Sequence, residues 1–211
     1  MRRFWQLSLF LIMLILPVRA EASMHTAALV IDSGANGEYT NRLLDGLYDR
    51  GLHATFLLQG SYVQQNPELV QRIVEEGHEI ACKGFSGKSM AHMSRRTIAQ
   101  ELLEFRALLP ENCGMKFLYS PGGISDGVRQ VAEVRQLALL GWSVSADVSH
   151  TAVQDGDIVH LRDASEQSVQ QALALLDALM EKDFDLCTVS ALAKGKNVSI
   201  RPGKIYKEFY P

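Results

Sequence analysis

Short apolar runs alternate with longer stretches of helical period through most of the chain, and that alternation is the strongest constraint on its fold. The runs over residues 27–31, 54–58, 79–83, 116–119, 142–146, 157–161 and 185–189 are apolar, β-branched and aromatic-rich, as strands buried on both faces tend to be. Between them lie segments with a single apolar stripe. Asn66, Pro67 and Glu68 read as a cap, a first-turn proline and a first-turn acid. Leu69, Val70, Ile73 and Val74 then line one face, and Gly77 ends the helix. Ser94 reads as the cap of a helix carrying Ile98, Leu102, Phe105 and Leu109, closed by Pro110, and further helices are expected over 39–50, 126–140 and 165–182. Strand and helix in strict alternation imply right-handed βαβ units and a mainly parallel sheet. Periodicity alone leaves an open doubly wound sheet and a closed barrel as equal options.

In either architecture the carboxyl ends of the strands share one edge, where ligands bind. Asp32, Lys83, Tyr119, Asp147 and Arg162 all fall at or just beyond such ends. Tyr119, Trp142 and Phe85 are aromatic residues in the same setting. They could stack on sugar rings or simply belong to the core. The six histidines show no paired metal-ligand spacing, and His78 is expected to anchor a helix-to-strand turn. Gly34, Asn36 and Gly37 form a glycine-rich loop, but the spacing matches no phosphate-binding fingerprint.

Arg2 and Arg3 precede a mostly apolar run over 4–18, followed by the small-residue cleavage options Val18-Arg-Ala20 and Ala20-Glu-Ala22. This reads as an export signal over residues 1–22; an uncleaved anchor is the alternative, and the only expected membrane contact. The rest, 23–211, is expected to be one domain, with a polar tail over 194–211 returning along its outside. The net charge is −3, becoming −5 without Arg2, Arg3, Arg19 and Glu21. With no basic run, nucleic acid is excluded as a partner. Cys82, Cys113 and Cys187 allow one disulfide plus a free thiol, or three buried thiols.

The segments Tyr39-Thr-Asn-Arg-Leu-Leu-Asp-Gly-Leu47, Gly51-Leu-His-Ala-Thr-Phe-Leu-Leu58, Asn66-Pro-Glu-Leu-Val-Gln-Arg-Ile73 and Glu75-Glu-Gly-His-Glu-Ile80 resemble, in order and spacing, those of the NodB-type polysaccharide deacetylases. The resemblance runs from about Thr26 to Tyr206. It implies a distorted (β/α) barrel of about seven parallel strands, which in that family removes acetyl groups from sugar polymers with a divalent metal, usually zinc. A metal with open positions polarises the acetyl carbonyl and activates water, a carboxylate takes the proton, and a second acid protonates the leaving amine.

The functional motifs depart from that pattern together. The family's Thr-Phe-Asp-Asp-Gly aligns with Val30-Ile-Asp-Ser-Gly34, so Asp32 matches the base while Ser33 stands at the metal-binding aspartate. The two histidine ligands of His-x-x-x-His align with Lys83 and Gly87. In Tyr119-Ser-Pro-Gly-Gly123 the base-orienting arginine is Tyr119, and Gly122 keeps the turn that presents an oxyanion N–H. The fourth motif retains at most Asp147. The fifth reads Leu161-Arg-Asp163, placing Arg162, which cannot shuttle a proton, where the general-acid histidine belongs. The expectation is an exported protein without the family metal or any other cofactor, inactive as a metal-dependent deacetylase. It would bind envelope carbohydrate through a cleft of Asp32, Lys83, Tyr119, Gly122, Trp142, Asp147 and Arg162. Lys83, with Arg162 as a second cation, would pair with Asp32 in the metal's place; the alternative is a Lys83 directed to solvent. Two further functions remain open. One is metal-free hydrolysis of C–N or ester bonds through Asp32, and the other is a regulatory module that uses a protein surface.

Overall fold

The computed structural model describes residues 25–33, 37–146 and 152–210. The export segment, Gly34, Asn36 and Asp147 lie outside the described residues. Nine strands form one sheet: β1 (His25–Asp32), β2 (Thr55–Leu58), β3 (Glu79–Cys82), β4 (Met115–Leu118), β5 (Ala138–Leu140), β6 (Val144–Ser145), β7 (Ile158–Arg162), β8 (Phe184–Cys187) and β9 (Ile205–Tyr206). Their order is β6-β7-β1-β2-β3-β4-β5-β9, with β8 paired to the first half of β1. Every pairing between these strands is parallel. The helices are α1 (Gly37–Asp49), α2 (Gly60–Gln65), α3 (Pro67–Glu75), α4 (Arg95–Arg106), α5 (Asp126–Val134), α6 (Glu166–Met180) and α7 (Val189–Gly195). Among the described residues no helix is long and apolar enough to cross a membrane.

Strand alternation divides the core in two. Leu29, Ile31, Phe56, Leu58, Ile80, Val159 and Leu161 face outward and pack under the helices with Leu43, Leu47, Ile73, Phe105 and Leu176. Ala28, Val30, Leu57, Ala81, Phe117, Ala138, Leu140 and Ile158 face the other way and form a second cluster. That cluster is filled by Val189, Leu192 and Ala193 of α7 and by Tyr206 and Phe209 of the tail. An inner cluster enclosed by one curved parallel sheet is the packing of a (β/α) barrel, so the choice left open by periodicity resolves to a distorted barrel.

All seven expected strands are present, and the structure adds two. The helix expected over 126–140 stops at Val134, because Gln136 takes a left-handed φ of 57° and Leu137 N–H bonds back to Ala132 O. Leu137 to Leu140 then bury both faces of a strand, a demand that one stripe of an amphipathic helix does not meet. The tail does not return along the outside, as the sequence suggested. Ile205 and Tyr206 add to the free edge of β5, and beyond them Glu208 bridges to Asp157 in the antiparallel sense. Tyr210 OH donates to Asp157 Oδ1 at 2.6 Å, so the tail spans the gap between the two sheet edges. Asn66 caps no helix with its side chain. Its amide donates to Tyr62 O and closes α2 instead. All three cysteines are free thiols, which removes the disulfide option.

His78 anchors the turn into β3 as expected. Its Nδ1 accepts from Ala54 N–H at 3.2 Å, which requires the unprotonated nitrogen. Burial, reinforced by His53, pushes its pKa well below the ordinary 6.5. The unfolded chain therefore takes up a proton here before the folded one, and stability falls as pH drops below about 6.5. A loss on the order of 2 kcal/mol from this residue between pH 7 and 4.5 is expected in urea unfolding. His78→Gln should flatten that part of the profile; an unchanged slope counts against the assignment.

Candidate functional site

The site follows from the same alternation. One inward step beyond Val30 on β1 is Asp32, and beyond Ala81 on β3 is Lys83. Beyond Phe117 on β4 comes Tyr119, and beyond Leu140 on β5 comes Trp142. On β7, Ile158 belongs to the inner cluster, His160 is the next inward position and Arg162 the one after, opposite Asp32 in the register. The last apolar layer of the barrel is thus crowned by polar and aromatic side chains at the carboxyl ends of the strands.

Lys83 Nζ donates to Asp32 Oδ1 and, at 2.7 Å, to the Ser33 carbonyl. The pair is largely withdrawn from water, with 15% of the Lys83 side chain and 23% of Asp32 exposed. Lys83 therefore does not point into solvent. Burial opposes ionisation of Asp32, but His160 and the Lys83 ammonium outweigh it and hold the carboxyl at about 2. His160 Nε2 stands 3.8 Å from Asp32 Oδ2, beyond hydrogen-bond reach, so its help is Coulombic and depends on its being protonated. The His160 ring stacks on Trp142 with centroids 3.9 Å apart and planes 8° from parallel, and Tyr119 leans on the other ring at 5.0 Å. Tyr119, Trp142 and His160 form one aromatic column beside the ion pair.

Ser33 lies just past the end of β1, with its carbonyl on Lys83 and its hydroxyl turned to Asp163. Its Oγ donates to Asp163 Oδ2 at 2.6 Å, and Thr40 Oγ1 donates to the same oxygen at 2.5 Å. Asp163 is fully buried, and burial together with the Asp32 charge pushes its carboxyl above the usual range despite the two hydroxyl donors. Gly87 has a φ of 73°, and a Cβ built on it would come 2.5 Å from Gln59 Oε1 and 2.7 Å from Gln59 Cδ. The Gln59 side chain, tied to Ser61 Oγ, fills the space that a side chain at 87 would enter.

Of the residues singled out in the sequence, Asp32 and Lys83 are in direct contact, and Tyr119 and Trp142 touch each other. Arg162 shares their face but forms no ion pair with Asp32, so only one of the two expected cations pairs. Gly122 sits in a turn at φ 81°, where a Cβ would collide with Ser89 Oγ at 2.0 Å. Phe85 packs over Gly60, and its N–H donates to Glu101 Oε2 at 2.7 Å, so it is a loop anchor rather than a stacking platform. His160, Gln59 and Asp163 were not singled out as site residues. For His160 a signal existed: it lies two positions before Arg162 on a strand of period two.

These groups make a poor metal site. Among the described residues no group of three His, Cys, Asp or Glu side chains is placed to hold an ion. The ammonium on Asp32 competes with any cation for that oxygen, and Ser33 is committed to Asp163.

A family model described as polysaccharide deacetylase matches residues 19–139, more than half of the chain. A peptidoglycan-N-acetylglucosamine deacetylase of Bacillus cereus is 28% identical over 189 residues, covering 81% of this chain and 89% of the relative. Among solved structures, the T48 deacetylase with substrate superimposes with a TM-score of 0.78 at 27% identity, covering 87% of this chain and 97% of the other. A CE4 family pseudoenzyme from Bacillus anthracis superimposes with a TM-score of 0.72 at 20% identity, covering 81% and 66%.

Proposed function

The chain belongs to the polysaccharide deacetylase family, and from that premise we propose that it is an exported, glycan-binding member in which an Asp32–Lys83 ion pair replaces the catalytic metal. The observation that carries this reading is the Lys83 ammonium itself. It stands at the position of the first histidine ligand and bonds to the one carboxylate kept from the first motif. Gln59 supports it from the second ligand position, where it occupies the space an imidazole at 87 would need. Asp32, held at about 2, is also a weak general base, which disfavours metal-free hydrolysis through it. The aromatic column suits the apolar face of a sugar ring. Export is supported by Arg2, Arg3 and the apolar run over 4–18.

Elemental analysis of the purified protein is expected to find no stoichiometric zinc, and chitooligosaccharides or peptidoglycan should release no acetate in its presence. The same glycans should bind, with affinity lowered roughly tenfold by Trp142→Ala. Chelator-sensitive acetate release, or zinc seated beside Asp32, overturns the reading. Glycan-independent capture of a protein partner that Trp142→Ala leaves intact supports the regulatory alternative instead.

A further inference from the structure

We propose that the barrel mouth selects acidic glycans and that Arg162 is the group that takes the ligand's carboxylate, an inference that rests on the glycan-binding reading of this site. The Asp32 charge is already neutralised by Lys83. Arg162 is exposed, lies on the inward face of β7 one step beyond His160, and its side chain has no hydrogen bond or ion pair among the described residues. Three arginines on the helices are ion-paired instead. Arg42 is paired with Glu166, Arg50 with Asp177, and Arg72 with Asp45 and Glu76. The carboxylate nearest Arg162 in sequence, Asp163, is turned to the opposite side of the sheet and held there by Ser33 and Thr40.

Among its described residues the mouth therefore holds the exposed Arg162 guanidinium without an ion-pair partner, one inward step beyond the His160 end of the aromatic column. A guanidinium stays protonated and offers a planar fork of N–H donors that matches a carboxylate in a bidentate pair. A sugar laid against Tyr119 and Trp142 by its apolar face would present its ring substituents to the surrounding mouth. A uronic or lactyl carboxylate there gains charge-assisted hydrogen bonds that a hydroxymethyl group cannot match. The same charge repels a deacetylated, cationic polymer. The mouth is thus tuned against the amine that the family's reaction releases.

The test compares three tetrasaccharides by calorimetric titration at low salt: a hyaluronan tetrasaccharide, which alternates N-acetylglucosamine with glucuronate, neutral N-acetylchitotetraose, and its fully deacetylated form. The acidic ligand is expected to bind at least tenfold more tightly than the neutral one, and the cationic ligand most weakly. In Arg162→Gln the acidic-to-neutral ratio should fall to near one, with partial recovery in Arg162→Lys. Added salt should compress the preference in the parent protein. Equal affinity for acidic and neutral ligands overturns this inference and leaves the glycan-binding reading standing. A preference that survives Arg162→Gln overturns the assignment to Arg162. Failure of all three ligands to bind sinks both readings.

Discussion

Zinc binding is expected to be strongest when four positions change together. Ser33→Asp, Lys83→His and Gly87→His supply the donors that the family pattern has at those places, and Gln59→Ala clears the space for the third. The triple variant without Gln59→Ala should bind zinc more weakly than the quadruple one, because an imidazole on residue 87 must first displace the flexible Gln59 carboxamide. The left-handed backbone at 87 adds a penalty of about 1 kcal/mol, small beside a metal–ligand set. The quadruple variant should gain at least a thousandfold in zinc affinity over the parent, about 4 kcal/mol. Lys83→His contributes twice, by adding a nitrogen donor and by freeing Asp32 from the ammonium.

Ser33→Asp carries its own signature. It sets a second carboxylate against Asp163, whose acid is already pushed up by burial and by Asp32. Without metal the quadruple variant should therefore melt below the parent, and zinc should recover the loss in proportion to occupancy. Zinc titration followed by calorimetry and by thermal melting checks both halves. Equal zinc affinity of the triple and quadruple variants would clear Gln59 of any blocking role.

Much of this architecture was legible in the sequence because it depends on period and punctuation. The seven expected strands follow from compact apolar runs, Ser94 caps α4 as its chemistry dictates, and a period of two carries Asp32, Lys83 and Tyr119 to one edge. The misses share a different cause. At Gln136, one residue in the left-handed region turns a helix into a strand, and nothing in local propensity announces it. The tail's antiparallel bridge to Asp157 and the Asp163–Ser33 bond join residues more than fifty positions apart, so they exist only once the sheet has assembled. Gln59 is the same kind of case. It fills the space beside Gly87 because β2 and β3 are neighbours, a pairing that the motif at 83–87 does not contain.

Removing the ammonium from the mouth is expected to raise the pH at which Asp32 titrates. With Lys83 present its folded pKa lies below the ordinary 3.8, so its contribution to stability is in place above pH 3.8 and fades as the pH falls toward 2. In Lys83→Met burial and His160 remain while the Lys83 ammonium is gone. The carboxyl should then titrate clearly higher than in the parent, and the stability that depends on its charge should be lost at a correspondingly higher pH. At pH 7 the cost of a half-buried, unpaired carboxylate is on the order of 2–3 kcal/mol, and at pH 3 most of it should vanish. Asp32→Asn combined with Lys83→Met removes both charges and should recover most of the loss at pH 7, since a withdrawn ion pair carries little net stability of its own. Carbon-detected titration of the Asp32 carboxyl, together with urea unfolding of the two single variants and the double variant at pH 7 and pH 3, measures each arm. An Asp32 titration that does not move in Lys83→Met would mean that the barrel mouth is not held by this pair, and the proposal that an ammonium stands in for the metal would go with it.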